Sequence, residues 1–181
     1  SPVYIAAQNG HVECLRLLTE LGADVNVCRT DDGASPVQMA AQDGHLECIR
    51  LLGKFGADVN TCTKVDGETS VFVAAEFGHV ECLRLLHELG ADINKSRTTD
   101  GASPAFIAAQ NGHMEVVKLL RRLGADLSAE SQQDGNPADA ARRKGHTAIA
   151  EKLTRYTSQC ACCEKKHPEV HLEACGQCTT T

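Results

Sequence analysis

A repeat of 34 residues runs through most of this 181-residue chain. Residues 33–66 read GASPVQMAAQDGHLECIRLLGKFGADVNTCTKVD, residues 67–100 read GETSVFVAAEFGHVECLRLLHELGADINKSRTTD, and residues 101–134 read GASPAFIAAQNGHMEVVKLLRRLGADLSAESQQD. Residues 1–32 form the same unit without its opening Gly-Ala. Residues 135–156 form a shorter and more polar copy, whose Gly145-His146 comes one residue early. Self-similarity at a period of this size marks a solenoid. Each copy is one supersecondary unit that cannot bury its apolar face alone, and stacking on its neighbours completes the core.

Each copy parses by local rules. Ser35 and Ser103 are placed to cap a helix, and Pro36 and Pro104 occupy the first helical position, where the missing N–H is not needed. That short helix is expected to end at the Gly of Gly-His in a left-handed cap. A second helix is expected over segments such as residues 80–89, ending at Gly90. A polar loop then closes on Asp100-Gly101, a turn signal. Helices of about ten residues are marginal alone in water, so stability must come from stacking. Val80, Cys82, Leu83, Leu85 and Leu86 follow helical spacing and form the stripe to be buried. Ala40-Ala41, Ala74-Ala75 and Ala108-Ala109 keep the first helix thin, so that neighbours approach closely.

An Ala/Leu core explains an odd composition: aromatics are 3% of the chain, with four Phe, two Tyr and no Trp. That poverty argues against an aromatic-rich β-sandwich and against stacking platforms for single-stranded nucleic acid. The net charge of −6 argues against a protein whose main task is neutralising phosphates. No stretch approaches the roughly 18 apolar residues needed to span a bilayer.

These residues resemble the ankyrin repeat, which typically reads Gly-x-Thr-Pro-Leu-His-x-Ala-Ala-x-x-Gly-His. The resemblance covers residues 1–156 in five copies (1–32, 33–66, 67–100, 101–134 and 135–156). It implies an all-α solenoid of helix-turn-helix units with finger loops. Two departures stand out. The usual Leu-His after Pro becomes Val3-Tyr4, Val37-Gln38, Val71-Phe72 and Ala105-Phe106. The period is 34, with one extra residue in the loop before each Gly. Slightly longer β-hairpin fingers are therefore expected, together with a changed contact where the family's His bridges neighbouring repeats.

The resemblance also implies a function: a protein–protein interaction scaffold or adaptor, working through a concave surface lined by the fingers and the ends of the first helices. Those positions vary between copies. The candidate partner-binding residues are Gln42, Asp43, Glu76, Phe77, Gln110 and Asn111, with Gln8-Asn9 in the first copy. Arg29, Lys64, Val65 and Arg97 vary at the finger tips. Phe77 is the one aromatic among the helix-end residues and would make a good anchor, since aromatics are enriched at interface hot spots. A single exposed apolar residue is also ordinary surface variation.

Several repeated residues invite an enzymatic reading that the pattern does not support. Cys14, Cys48 and Cys82 occupy the helix-two position filled by Val116 in the fourth copy, and are read as small core hydrophobes. Cys28 and Cys62 fall in the fingers and are expected to be more exposed. His11, His45, His79, His113 and His146 share the Gly-His position and are read as ties from helix two to adjacent backbone. No Gly-rich phosphate loop, nucleophile elbow or His-Glu-x-x-His pair occurs. Arg142-Arg143-Lys144 is read as the polar face of a solenoid cap. The expectation is a non-enzymatic protein with no small-molecule substrate.

After Tyr156 the composition changes to TSQCACCEKKHPEVHLEACGQCTTT. Cys160-x2-Cys163 is followed, after eleven residues, by Cys175-x2-Cys178. Two such knuckles offer four thiolates to a tetrahedral Zn²⁺, which would supply the folding free energy of a segment with no core of its own. Disulfides and a metal-free tail are the competing readings. Cys162 could replace either member of the first pair, and His167 and His171 could join a mixed site. The segment resembles the first half of a MYND-type zinc finger. In that family two zincs bind in an interleaved manner, so each of these pairs would belong to a different metal. The first copy lacks its opening and the finger lacks its close, so the sequence is expected to be a piece of a longer protein. An ankyrin array points to a reducing compartment, hence an intracellular location in cytoplasm or nucleus. Nucleic-acid binding through the finger is disfavoured, because residues 157–181 carry two Lys against three Glu. The competing functional class is a regulatory fragment of a larger enzyme, a MYND-containing methyltransferase or an ankyrin-repeat ubiquitin ligase, with its catalytic domain elsewhere.

Overall fold

The computed structural model describes residues 1–132 and 134–158. Among them are ten helices in five pairs: α1 (Pro2–Gln8) and α2 (Val12–Glu20), α3 (Pro36–Gln42) and α4 (Leu46–Lys54), α5 (Ser70–Phe77) and α6 (Val80–Glu88), α7 (Pro104–Gln110) and α8 (Met114–Arg122), and α9 (Pro137–Arg143) and α10 (Thr147–Ser158). The odd-numbered helices stack in sequence as an inner layer, α1 on α3 on α5 on α7 on α9. Helices α2, α4, α6 and α8 stack in the same order as an outer layer. The result is a solenoid.

The first helix of each copy begins as its cap residues dictate. Ser35 sits in extended backbone, and its Oγ accepts the Gln38 amide at 3.3 Å while the Gln38 side chain accepts the Ser35 amide at 2.7 Å, a closed capping box. Thr69 and Ser103 accept the amides of Phe72 and Phe106, and Asn136 accepts those of Ala138 and Asp139. The ends fall slightly earlier than the glycines imply. Helix α6 stops at Glu88, with Leu89 as the cap, and the left-handed Gly90 follows.

The core is one continuous ladder. Ala40-Ala41, Ala74-Ala75 and Ala108-Ala109 are sealed between inner helices, and Leu52, Leu83, Leu86 and Leu120 are sealed between layers. Each buried leucine is worth about 1.5–3 kcal/mol against exposure, which is how helices of seven to nine residues persist. One expected member does not belong. Cys48 and Cys82 are buried, but Cys14 is exposed. Cys48 and Cys82 each have a copy stacked before them, and no described residue covers Cys14 in that way. Burial pushes the Cys82 thiol up to about 11, as suits an inert core residue.

The fingers depart from the expected β-hairpins. Among the described residues no strand forms, and only isolated bridges join Cys62 to Thr69 and Ser131 to Gly135. The fingers are held instead by aspartates. Asp100 accepts the Ala102 amide at 3.0 Å and pairs with Arg97, and Asp32 does the same with Ala34 and Arg29. One backbone bond per copy then ties finger to finger: Lys64 to the Asp32 carbonyl at 2.7 Å, Thr98 to Asp66 at 2.8 Å, and Gln132 to Asp100 at 2.7 Å. The contact expected to change is carried by Gln38, whose Nε2 donates to the Glu68 carbonyl of the next copy at 2.5 Å. In the next two copies that position is filled by the buried Phe72 and Phe106.

Candidate protein-interaction surface

The histidine after each helix-one glycine builds the surface. His45, His79 and His113 occupy the N-cap positions of the outer helices, but their side chains make no capping hydrogen bond. Each ring reaches back to the previous copy and donates through Nε2 to a backbone carbonyl in the last turn of its inner helix: Gln8 at 3.0 Å, Gln42 at 2.8 Å and Glu76 at 2.8 Å. The expected tie is therefore a bond between copies. It holds the inner-helix ends in one row.

Six candidate residues lie along that row. Gln42, Glu76 and Gln110 are half-buried, and Asp43, Phe77 and Asn111 are exposed. Phe77 is 49% exposed, and its ring stacks on His79 with centroids 6.5 Å apart. His79 thus links Phe77 to the Gln42 carbonyl. Asn111 donates its side-chain amide to the Glu76 carbonyl at 2.9 Å. The structure therefore joins Gln42, Phe77, Glu76 and Asn111 through shared hydrogen bonds and one ring contact.

Two charged features bear on this row. The Glu76 carboxyl is held above the usual carboxylate range, first by burial and then by Glu68, with Arg97 acting weakly in the other direction. No cation pairs with Glu76 among the described residues, because Arg97 is already committed. Its guanidinium bonds Asp100 at 2.5 Å and Glu68 at 3.2 Å, and lies 5.1 Å from the Phe72 ring centre. Sequence variation marks Arg97 as an available finger tip, but the structure uses it as a brace. Lys64 and Val65 remain exposed. The row ends in a basic group. Gln110, Asp134, Ala140, Arg143 and Lys144 line a shallow hollow, with Arg143 paired to Asp134 at 2.6 Å. Arg143 and Lys144 continue the Gln110-Asn111 positions into the fifth copy; the loop one residue shorter hid that alignment in the sequence.

Cys160, Cys163, Cys175 and Cys178 lie outside the described residues, as do Cys162, His167 and His171. Among the described residues no group of three or more His, Cys, Asp or Glu could hold a metal, and no helix is long and apolar enough to cross a membrane.

Comparison with protein families agrees with the geometry. A family model described as ankyrin repeats, in three copies, matches residues 3–97, and the model of a single ankyrin repeat matches residues 100–132. No curated protein matches the chain.

Proposed function

The chain belongs to the ankyrin repeat family, whose repeats serve protein–protein interaction, and from that premise we propose that it is a non-enzymatic scaffold or adaptor docking a protein segment along its inner-helix ends. The observation that carries this reading is the row Asp43, Glu76, Phe77, Asn111 and Lys144. It is exposed or half-buried, differs from copy to copy, and is fixed by copy-to-copy hydrogen bonds. A rigid row of varied side chains is what specific docking needs, since little ordering cost remains to be met on binding.

The chemistry of the row describes the segment it takes. Phe77 offers an apolar anchor at its centre. Glu76 is a half-buried carboxylate with no cation of its own, which favours a Lys or Arg beside the anchor. Lys144 and Arg143 favour an acidic group farther toward the fifth copy. The proposed partner is a protein segment with a basic residue, an apolar residue and an acidic residue in that spatial order. Within the same reading, residues 160–178 form the first part of a MYND-like finger that adds a zinc-dependent peptide site through Cys160, Cys163, Cys175 and Cys178, and the protein works inside the cell.

Affinity capture with the wild-type chain and with Phe77→Ala, followed by quantification of each captured protein, tests the docking reading. Selective loss of captured proteins with Phe77→Ala supports it. An unchanged set removes Phe77 as the anchor.

A further inference from the structure

Residues 6–11 and 108–113 carry one hexapeptide twice, Ala-Ala-Gln-Asn-Gly-His, across the ends of α1 and α7. In each, an asparagine side-chain amide stands beside the backbone nitrogen of a glycine, where no Cβ hinders a close approach. Both asparagines are exposed to water. In both, the glycine nitrogen is weakly held: Gly10 donates to Ala7 at 3.4 Å and Gly112 to Ala109 at 3.3 Å, beyond the ordinary range of about 2.7–3.2 Å. Identical local sequence leaves the fold to decide how freely each pair moves, and the fold holds them differently. The Gln8 carbonyl beside Asn9 accepts the His45 ring at 3.0 Å. The ring in that register beside Asn111 is His146. It lies over Gly112 as the other rings lie over their glycines, but among the described residues it makes no hydrogen bond to the Gln110 carbonyl. The end of α7 therefore lacks the tie that fixes Gln8, Gln42 and Glu76.

We propose that Asn111 is a self-modifying site, which deamidates in the folded chain and so alters the row of inner-helix ends. The Gly112 nitrogen loses its proton to base in solution and attacks Asn111 Cγ. The N–Cγ bond forms, the Cγ–Nδ2 bond breaks, and Nδ2 takes up a proton and leaves as ammonia. Water then opens the cyclic imide at either carbonyl, which gives aspartate or isoaspartate. Water is the only co-reactant, and nothing is oxidised or reduced. Reaching the cyclic geometry releases two hydrogen bonds, that of Gly112 to Ala109 and that of the Asn111 side chain to the Glu76 carbonyl at 2.9 Å. Both belong to one helix end, so a local opening suffices.

The product differs from the parent where the row is built. The Glu76 carbonyl accepts two donors, the His113 ring and the Asn111 amide. Either product removes the second donor and sets a carboxylate beside that carbonyl, acceptor against acceptor. Isoaspartate also lengthens the main chain by one carbon just ahead of His113, the other donor. The second copy shows that an aspartate fits this place: Asp43 follows α3, and the His45 tie beside it stands. Deamidation thus leaves the solenoid folded while it loosens the backbone of Glu76 and adds a negative charge to the row. The effect on docking rests on the row being the docking surface; the chemistry at Asn111 does not.

The test holds the full chain folded at mildly alkaline pH beside the same chain in urea. Peptide mapping with isoaspartate detection follows Asn9 and Asn111 over time. In urea the two identical hexapeptides should react at similar rates. In the folded chain Asn111 should stay within about tenfold of its urea rate, and Asn9 should lag behind it. Conversion of Asn111 in the folded chain no faster than that of Asn9 overturns the proposal. The consequence is read on Asn111→Asp, an exposed change that copies Asp43. Amide exchange over residues 76–79 should quicken, and proteins whose capture depends on Phe77 should be captured less. Unchanged exchange and unchanged capture overturn the effect on the row. If Phe77→Ala removes no captured protein, the docking reading fails by itself, and the mapping still decides the chemistry at Asn111.

Discussion

His79 donates a hydrogen bond through Nε2 to the carbonyl of Gln42, 2.8 Å away and 37 residues earlier in the chain. The bond recurs from His45 to Gln8 and from His113 to Glu76. The backbone that carries the proposed docking residues is thus the same backbone that joins one copy to the next. Anything that moves the ring should disturb both stacking and docking.

Gly78 and Gly90 separate the effect of one such ring, that of His113, from ordinary backbone strain. Both adopt left-handed backbone, φ +79° and +90°. A Cβ on Gly78 would lie 2.6 Å from His113 Nδ1, whereas one on Gly90 meets nothing within 4 Å. Gly90→Ala should cost about 1–2 kcal/mol, the price of a side chain in that conformation. Gly78→Ala should cost about 1–3 kcal/mol more, because the ring must shift off its carbonyl. Urea unfolding of the two variants measures the difference; equal losses would show that the ring moves freely.

Glu76 should behave as a residue kept for binding at the expense of stability. Its folded-state carboxyl is raised by burial and by Glu68. The folded state therefore favours the protonated form, and the ionised form weakens folding above the raised value. Glu76→Gln should stabilise the chain at neutral pH by about 0.5 kcal/mol, with the gain vanishing as pH falls below the unfolded carboxylate range. The same substitution should weaken capture of the partner, and wild-type capture should weaken as acid neutralises Glu76. Unfolding curves at neutral and acid pH, set beside binding at the same pH values, check both signs.

The zinc reading stands on residues 157–181. Metal analysis of the natural protein, purified without added zinc, should find bound zinc, and a chain ending after Ser158 should find none. Replacing Cys175 and Cys178 by Ser should lower the bound zinc without changing the unfolding of residues 1–158. A zinc-free natural protein would end the finger reading.

Much of this was legible in the sequence, because repetition reports the same local rules several times over. Ser35-Pro36 and Ser103-Pro104 place helix starts, the paired alanines place the inner layer, and Phe77 is visible as the aromatic in a polar column. What the sequence could not show depends on neighbours. Cys14 has the same local surroundings as Cys48, and only the uncovered end of the stack exposes it. Arg97 looks like a variable finger tip, but Glu68 reaches it from 29 residues earlier in the chain. The Gly-His position places the histidine against adjacent backbone, but only the stacked structure shows that its acceptor lies in the preceding copy.

The central claim is that a partner docks on the inner-helix ends. Hydrogen–deuterium exchange of the chain with and without a captured partner tests it most directly. The account predicts new protection at residues 42–43, 76–77 and 110–111, reaching toward Lys144, with no change in the outer helices α4 and α6. Protection confined to those outer helices, with the inner-helix ends unchanged, would contradict it.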